Sequence, residues 1–198
     1  MIAFIISTTI HEFCHAWSAY QLGDPTAARL GRITLNPAAH FDPIGFIGMM
    51  MLAAGYTAIG WGKPVPVNTN LIRGHRKGLA ITAAAGPLSN LVLATLFVIP
   101  LRASGAQIHG FGHVLLQRMV VVNLLLAAFN LIPIPPLDGS KILAGILPNF
   151  WFPYMAKLEQ YGFVILLFMF FIGGSMLADM YRPVFNLLQT HIAGSALF

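Results

Sequence analysis

Charged side chains are scarce in this sequence. Asp, Glu, Lys and Arg together make up 9% of its 198 residues, whereas a soluble domain carries about 25%. Hydrophobic residues make up 57%, and the mean hydropathy is +0.75. These values exclude an ordinary soluble domain and indicate a chain that lies in a lipid bilayer.

Cysteine is nearly absent as well. The single cysteine, Cys14, excludes a disulfide framework and a cysteine-based zinc site. The 11 Lys and Arg outnumber the six Asp and Glu, but they do not form the basic stripe of a nucleic-acid-binding protein, so we expect no nucleic-acid partner. The first residue opens directly into an apolar segment without a basic leader, and we therefore expect no cleavable signal peptide.

One of the few acidic residues, Glu12, lies in the sequence His11-Glu12-Phe13-Cys14-His15. On a helix, this H-E-x-x-H motif places two imidazoles on one face, where both can bind one zinc ion. Glu12 can then act as general base on zinc-activated water. With this content of His and Glu, the motif would arise by chance in roughly 0.2–0.3% of random sequences. The alternative is a pair of hydrogen-bonded histidines beside an unrelated glutamate.

The motif lies in residues 1–20, an apolar segment long enough to span a bilayer. An ionised carboxylate at mid-membrane costs about 2.5–3.5 kcal/mol, so ionisable groups in such a segment indicate a functional site. Three more segments have spanning length, namely residues 78–101, 114–132 and 161–180. The first of these contains AGPLSN, whose small residues predict close helix contact and whose Asn90 predicts an interhelical hydrogen bond.

A fifth apolar segment, residues 44–60, is short and rich in glycine, so it either crosses the bilayer or returns. Lys and Arg collect on the cytoplasmic side of a membrane. If this segment crosses, five Lys and Arg lie on one side of the membrane and six on the other. If it returns, eight lie on one side and three on the other. We therefore predict four full spans plus a re-entrant or hairpin segment, with the N-terminus outside and residues 22–78 facing the cytoplasm.

Two segments between the first spans have an extended pattern. Residues 29–36 alternate like a strand, and residues 63–68 read Lys-Pro-Val-Pro-Val-Asn, with prolines that confine the segment to an edge or loop. They predict a small β element at the membrane surface whose free edge accepts an extended substrate, the alternative being plain connecting loops. The predicted fold class is thus an all-α polytopic membrane protein with a small β element.

A catalytic zinc ion usually has three protein ligands and a water molecule, so the motif needs a third ligand. The candidates at suitable depth are Asp138, Asp42 and His40. Asp42 precedes a proline and can cap a helix, while His40 suits an interfacial histidine. Asp138 can also cap a helix, but it follows a long apolar run broken by three prolines, where a carboxylate needs a partner. Together with the H-E-x-x-H motif, Asp138 is the preferred ligand.

The motif H-E-x-x-H in a first span, followed by N-x-x-P-x-x-P-x-D-G in a later one, resembles the site-2 protease family of intramembrane metalloproteases. Four strings are similar to its short bacterial members: GRITLNPAAHFDPIG, WGKPVPVN, AGPLSN and NLIPIPPLDGSKIL. The resemblance covers most of residues 7–147. We therefore expect a catalytic membrane core in residues 1–147 and a C-terminal transmembrane helix with an interfacial tail in residues 148–198.

The resemblance implies a three-helix core in which His11, His15 and Asp138 bind one zinc ion per chain and Glu12 is the base. It also implies that Asn130 holds the substrate or stabilises the oxyanion. The expected function is a zinc-dependent intramembrane endopeptidase that cleaves transmembrane proteins. It would be a multi-pass protein of a bacterial-type inner membrane, with its active site nearer the cytoplasmic face.

Two other functions are compatible with a zinc site in a membrane. A non-proteolytic zinc-binding scaffold, or pseudoprotease, does not require the carboxylate of Glu12. A metal transporter needs ionisable groups along a path through several spans, whereas here the deep ones concentrate in two motifs.

Overall fold

The computed structural model describes residues 1–56, 60–103, 110–173 and 175–194, and these residues are mostly helical. The α-helices are α1 (Ile2–Gln21), α2 (Thr26–Arg29), α3 (Pro43–Ala53), α4 (Arg76–Ala103), α5 (Phe111–Asn130), α6 (Asp138–Ile146), α7 (Phe152–Gln160), α8 (Gly162–Phe171) and α9 (Met176–Leu188). Short 3-10 turns occupy Pro37–His40 and Asn149–Trp151, and a π-helical turn, Gln189–Ala193, follows α9.

Helix α4 is central and packs against α1, α5 and α6. Buried residues recur at every fourth position of α1 and so define one face of the helix: Ala3, Ser7, His11, His15 and Ala19. Gly86 lies at this contact, because a Cβ built on it would be 2.4 Å from the Nε2 atom of His15. The close helix contact predicted from AGPLSN is therefore confirmed.

Two helices of the described chain, α4 and α5, are long and apolar enough to cross a membrane. A third candidate is the pair Pro153–Gln160 and Gly162–Phe171, which is bent by 61°. The predicted span 1–20 forms α1, and the predicted span 161–180 is divided between α8 and α9. The described residues thus supply two candidate spans, or three if the bent pair counts as one, and the number four stays a prediction.

The fifth apolar segment contains α3, which has 11 residues. Its length is roughly 16 Å, about half the thickness of a hydrocarbon core. A Cβ on Gly45 would be 2.1 Å from the carbonyl oxygen of Trp61, and the Lys63 N–H donates to His40 O at 2.9 Å. The chain therefore returns beside the start of α3, as a hairpin requires. Three residues of the segment, 57–59, lie outside the described residues.

The predicted β element is not found, since the described residues contain no strand. In residues 29–36, the carbonyl of Thr34 accepts a hydrogen bond from the His40 ring at 2.9 Å. In residues 63–68, two prolines lack an N–H, and the Val65 N–H donates to a carboxylate of α1 at 3.0 Å. Because side chains take backbone groups that a β ladder would need, both segments are irregular.

The described residues of the C-terminal tail, which end at residue 194, pack against the helical core, and the interfacial position of the tail stays a prediction. Ala193 is 1% exposed and belongs to an apolar cluster with Val120 and Leu124 of α5. Arg102 of α4 donates to Ile192 O at 3.0 Å. A second apolar cluster ties the turn between α5 and α6 to α8 and α9: Ile132, Leu137, Leu166, Met169 and Leu177.

Candidate metal centre

The structure brings three of the predicted site residues together. One helical turn separates His11 from His15 on α1, and their Nε2 atoms are 3.0 Å apart. Helix α6 begins at Asp138, whose Oδ2 atom lies 3.2 Å from each of the two Nε2 atoms. All three residues are buried. Two distant parts of the sequence therefore meet at one point, where α1, α4 and α6 pack together.

Hydrogen bonds on the far side of each ring determine which nitrogen faces this point. The Nδ1 atom of His15 donates to the carbonyl oxygen of Thr82 at 2.7 Å. The Nδ1 atom of His11 lies 2.6 Å from Asn90 Oδ1, which is also an acceptor. A neutral imidazole has one N–H, so both Nε2 atoms present lone pairs. Two nitrogen lone pairs and a carboxylate oxygen thus converge, and a cation is the partner that suits all three.

The spacing of the three atoms fits zinc. The ligands of a tetrahedral zinc ion, with bonds of about 2.0–2.1 Å, are roughly 3.3 Å apart. The three distances measured here lie between 3.0 and 3.2 Å. Two histidines and one carboxylate are also a donor set of catalytic zinc sites, with the fourth position left to water. Within the described ranges, this is the one group of three or more His, Cys, Asp or Glu close enough to hold a metal.

Gly86 lets α4 approach the two rings. A Cβ on this residue would lie 2.4 Å from His15 Nε2 and 2.6 Å from His11 Cε1, whereas real Cβ contacts are essentially never shorter than 3.0 Å. The obstacles are ring atoms, and both rings are held by hydrogen bonds through Nδ1. A side chain at this position would therefore displace the ligands or push α4 away.

We expect Gly86→Ala to weaken zinc binding by at least about tenfold, the lower range for loss of a group that orients a ligand. The measurement is a competition titration with a chromogenic zinc chelator on the purified protein. Leu88→Ala on the same helix, where the side chain is exposed, should bind zinc like wild type. A folded Gly86→Ala protein with unchanged zinc affinity would contradict the close approach of α4.

Glu12 is half-buried beside the ligand His11. Its Oε2 atom accepts a hydrogen bond from the backbone N–H of Val65 at 3.0 Å. This N–H is available because Val65 lies between two prolines and has no partner strand. The carboxylate is therefore held next to the metal centre by a backbone donor from the loop between α3 and α4.

Residues 63–68 are fixed by two further charged side chains. The Arg32 guanidinium donates to the carbonyl oxygen of Lys63. The buried Asp24 carboxylate accepts from the N–H of Asn68 at 2.6 Å. Burial lowers the pKa of Arg32, and attraction to the carboxylate of α1 opposes that shift. Charged groups thus anchor the loop segment at both of its ends.

The two other candidates for the third ligand have different partners. The Oδ1 atom of Asp42 accepts from the Gly45 N–H at 2.8 Å and caps the first turn of α3. His40 bonds the carbonyl oxygen of Thr34. Neither residue belongs to the group formed by the ligands on α1 and α6.

Asn130 is the last residue of α5 and is half-buried. Its Nδ2 atom donates to the carbonyl oxygen of Leu126 at 3.0 Å, within the same helix. The turn that follows leads to Asp138, so Asn130 and the third ligand flank one connection. The predicted contact of Asn130 with a substrate stays a prediction.

Sequence reasoning missed two contributors to this site, Asp24 and Arg32, and it predicted the close helix contact of AGPLSN without placing Gly86 against the two rings. The sequence does contain a signal for Asp24 and Arg32, because charged residues are rare in this chain. Each of the few that remain needs a partner when it is buried. The distance between Gly86 and the rings could be found only from the packing of α1 on α4.

Comparison with known proteins bears on the same chemistry. The protein named "Putative zinc metalloprotease YwhC", from Bacillus subtilis, is 38% identical over 177 residues, which are 86% of this chain and 78% of that protein. The chain belongs to the YwhC family. No family model matches the chain, and no solved structure matches it.

Two further relatives are similar to this chain over smaller shares of their own length. "Putative zinc metalloprotease Rip2", from Mycolicibacterium smegmatis, is 34% identical over 81% of this chain and 62% of its own length. "Zinc metalloprotease MJ0392", from Methanocaldococcus jannaschii, is 27% identical over 74% of this chain and 33% of its own length. These names support a zinc protease, and the group of His11, His15 and Asp138 is where this chain could hold the zinc.

Proposed function

We propose that this member of the YwhC family is a zinc-dependent intramembrane endopeptidase of the site-2 protease type. It hydrolyses peptide bonds in or near the transmembrane segments of other membrane proteins. The observation that carries the proposal is the convergence of two imidazole Nε2 atoms and the Asp138 carboxylate next to Glu12. The apolar length of α4 and α5 supports a site inside a bilayer.

The three converging side chains would hold the zinc ion and leave its fourth position to water. When bound, zinc would lower the pKa of that water to about 7 and would polarise the carbonyl of the scissile bond. Glu12, adjacent in sequence to His11, takes the proton from the attacking water. It then returns this proton to the nitrogen of the leaving amine, so that one carboxylate acts as base and then as acid.

The substrate has to change conformation before the attack. The carbonyl groups of a transmembrane helix are hydrogen-bonded within the helix, so the segment must unwind locally to expose one of them. Asn130 can donate a hydrogen bond to the oxyanion that forms on the attacked carbonyl, provided that its amide leaves the Leu126 carbonyl. Loss of one such donor typically costs about 10²–10³ in rate.

Water would enter the centre from the C-terminal end of α1, where the helix leads into the loops. His15 lies six residues before the last residue of α1, Gln21, which is about 9 Å along the helix axis. The excess of Lys and Arg on the side of residues 22–78 favours the cytoplasm for this end. We therefore place the active site nearer the cytoplasmic face of a bacterial-type cell membrane.

The purified protein, reconstituted in vesicles with single-span model substrates, should release peptides that mass spectrometry maps to their apolar segments. Addition of 1,10-phenanthroline should stop this release, and added zinc should restore it. Membranes incubated with and without the protein would then reveal natural substrates by the same method. Release that continues without zinc, or cleavage confined to soluble loops, would contradict the proposal.

A further inference from the structure

We infer that Asn90 of α4 and Asn123 of α5 form a buried amide relay that orients His11 as a metal ligand. The two asparagines are positioning residues, since they act through the ring of His11. This inference rests on the proposed zinc site and adds a role for a helix, α5, that contributes no ligand to it.

The relay has a fixed direction. The Nδ2 atom of Asn123 donates to the carbonyl oxygen of Met119 at 2.7 Å, and its Oδ1 atom accepts from Asn90 Nδ2 at 2.8 Å. The Oδ1 atom of Asn90 then faces His11 Nδ1 at 2.6 Å. Because the Met119 carbonyl can only accept, it sets the orientation of both amides. The hydrogen of the His11 ring is thereby placed on Nδ1, and the Nε2 lone pair faces the other two ligands.

The two histidines are oriented by different means. His15 donates to a backbone carbonyl, that of Thr82, which no side-chain substitution removes. His11 depends on two side chains and on the carbonyl oxygen of Met119. A substitution in the relay should therefore affect one of the two imidazoles and leave the other in place.

Burial of two polar amide side chains at an apolar helix contact costs stability, so their presence there indicates a function. Asn90 and Asn123 are both 0% exposed, and apolar residues surround the same seam between α4 and α5, among them Leu124 and Val98. Packing alone would be satisfied by leucine at either position. An acceptor for the ring hydrogen of His11 is what leucine cannot supply. Without it, the ring can turn or take the other tautomer, and its lone pair leaves the metal centre.

The test compares zinc affinity and metal geometry in four variants of the full chain. Asn90→Leu removes the acceptor, and Asn90→Asp keeps an oxygen facing the ring. Asn123→Leu removes only the group that orients Asn90. Leu124→Ala, next to the relay on α5, disturbs packing without touching it. Zinc dissociation constants come from competition with a chromogenic chelator, and the visible spectrum of the Co²⁺-loaded protein reports the ligand geometry.

We expect Asn90→Leu to raise the zinc dissociation constant by about 10–100-fold and to alter the Co²⁺ spectrum. Leu124→Ala should stay close to wild type in both measurements. Asn90→Asp and Asn123→Leu keep the oxygen that faces His11 but lose the hydrogen bond between residues 90 and 123, so both should fall between wild type and Asn90→Leu. If Asn90→Leu does not fold, Asn123→Leu carries the test.

Wild-type affinity and spectrum in Asn90→Leu and Asn123→Leu would overturn the relay while leaving the zinc site intact. An equal loss in Leu124→Ala would also overturn it, because the effect would then be one of packing. A wild-type protein that binds no zinc would overturn the proposed function itself. Each of these results is read from metal binding, independently of proteolysis.

Discussion

Replacement of Glu12 by glutamine is expected to slow peptide hydrolysis by about 10²–10⁴-fold while zinc stays bound. The three ligand atoms come from His11, His15 and Asp138, so the substitution removes no ligand. Glutamine keeps an oxygen that can accept from the Val65 N–H, as the Glu12 carboxylate does. What it loses is the ability to take and return a proton. The measurements are the initial rate of fragment release in vesicles and the zinc content per chain.

A matched control exists within the chain. Glu159 is exposed on α7 and does not belong to the group of three ligands, and Glu159→Gln makes the same chemical change. It should cleave at the wild-type rate. A zinc-loaded Glu12→Gln protein that cleaves as fast as wild type would exclude Glu12 as the base. Failure of the wild-type protein itself to cleave any membrane substrate would favour the zinc-binding scaffold.

The part of the site that lies within one helix could be predicted from the sequence. The spacing between His11 and His15 needs only helical periodicity to bring their Nε2 atoms within 3.0 Å of each other. Asp138 lies 123 residues beyond His15, so no periodicity connects them. It was singled out because a carboxylate after an apolar, proline-broken run needs a partner. The structure places its Oδ2 atom beside both rings.

The loops between α1 and α4 could not be predicted in the same way. Alternating residues in 29–36 and the prolines of 63–68 suggested strands, but a strand requires a partner for its backbone groups. Here those groups bond to side chains, such as Glu12 at the Val65 N–H and Asp24 at the Asn68 N–H. These contacts depend on tertiary packing, which local patterns do not encode.

The positions of the helices could be predicted better than the number of times that the chain crosses the membrane. Hydropathy located α4 and α5, because each is a long apolar run without a break. It also marked residues 161–180 as one span, whereas the chain forms α8, a break and α9 there. A window of average hydropathy does not detect such a break, because the strongly apolar residues of α8 keep the average high over the whole window. Length and apolar content define a candidate span, and packing decides how the chain is divided.

The metal centre combines two ligands that are close in sequence with a third that is distant in sequence. This arrangement determines which parts of the fold a bound zinc ion would hold together. Helix α1 supplies both imidazoles and the base, so their relative positions are set by one rigid element. Helix α6 supplies the third ligand, and Gly139 next to it packs against the end of α5, because a Cβ there would lie 2.3 Å from Leu131 O. Coordination of zinc would therefore connect α1 to the α5–α6 turn, and removal of the third ligand should break that connection.

Asp138→Ala is accordingly expected to cause the largest loss of zinc. Substitutions of groups that orient a ligand typically cost about 10–100-fold in metal affinity, and removal of the ligand itself should exceed that range. Two imidazoles then remain where three donors are needed to leave one position for water. Activity should fall together with zinc content and should not recover at zinc concentrations that saturate the wild-type protein. Metal analysis by mass spectrometry and X-ray absorption of the zinc-loaded protein measure stoichiometry and ligand type.

Asp42→Ala is the matched control for this loss, because Asp42 was a rival candidate for the third ligand. Its carboxylate caps α3 through the Gly45 N–H, and removal of such a cap typically costs about 0.5–2 kcal/mol of stability. This variant should therefore unfold more easily and still bind one zinc ion per chain. If Asp138→Ala kept wild-type zinc content and coordination, Asp138 would not be a ligand. Zinc loss in Asp42→Ala alone would transfer that role to the residue that caps α3.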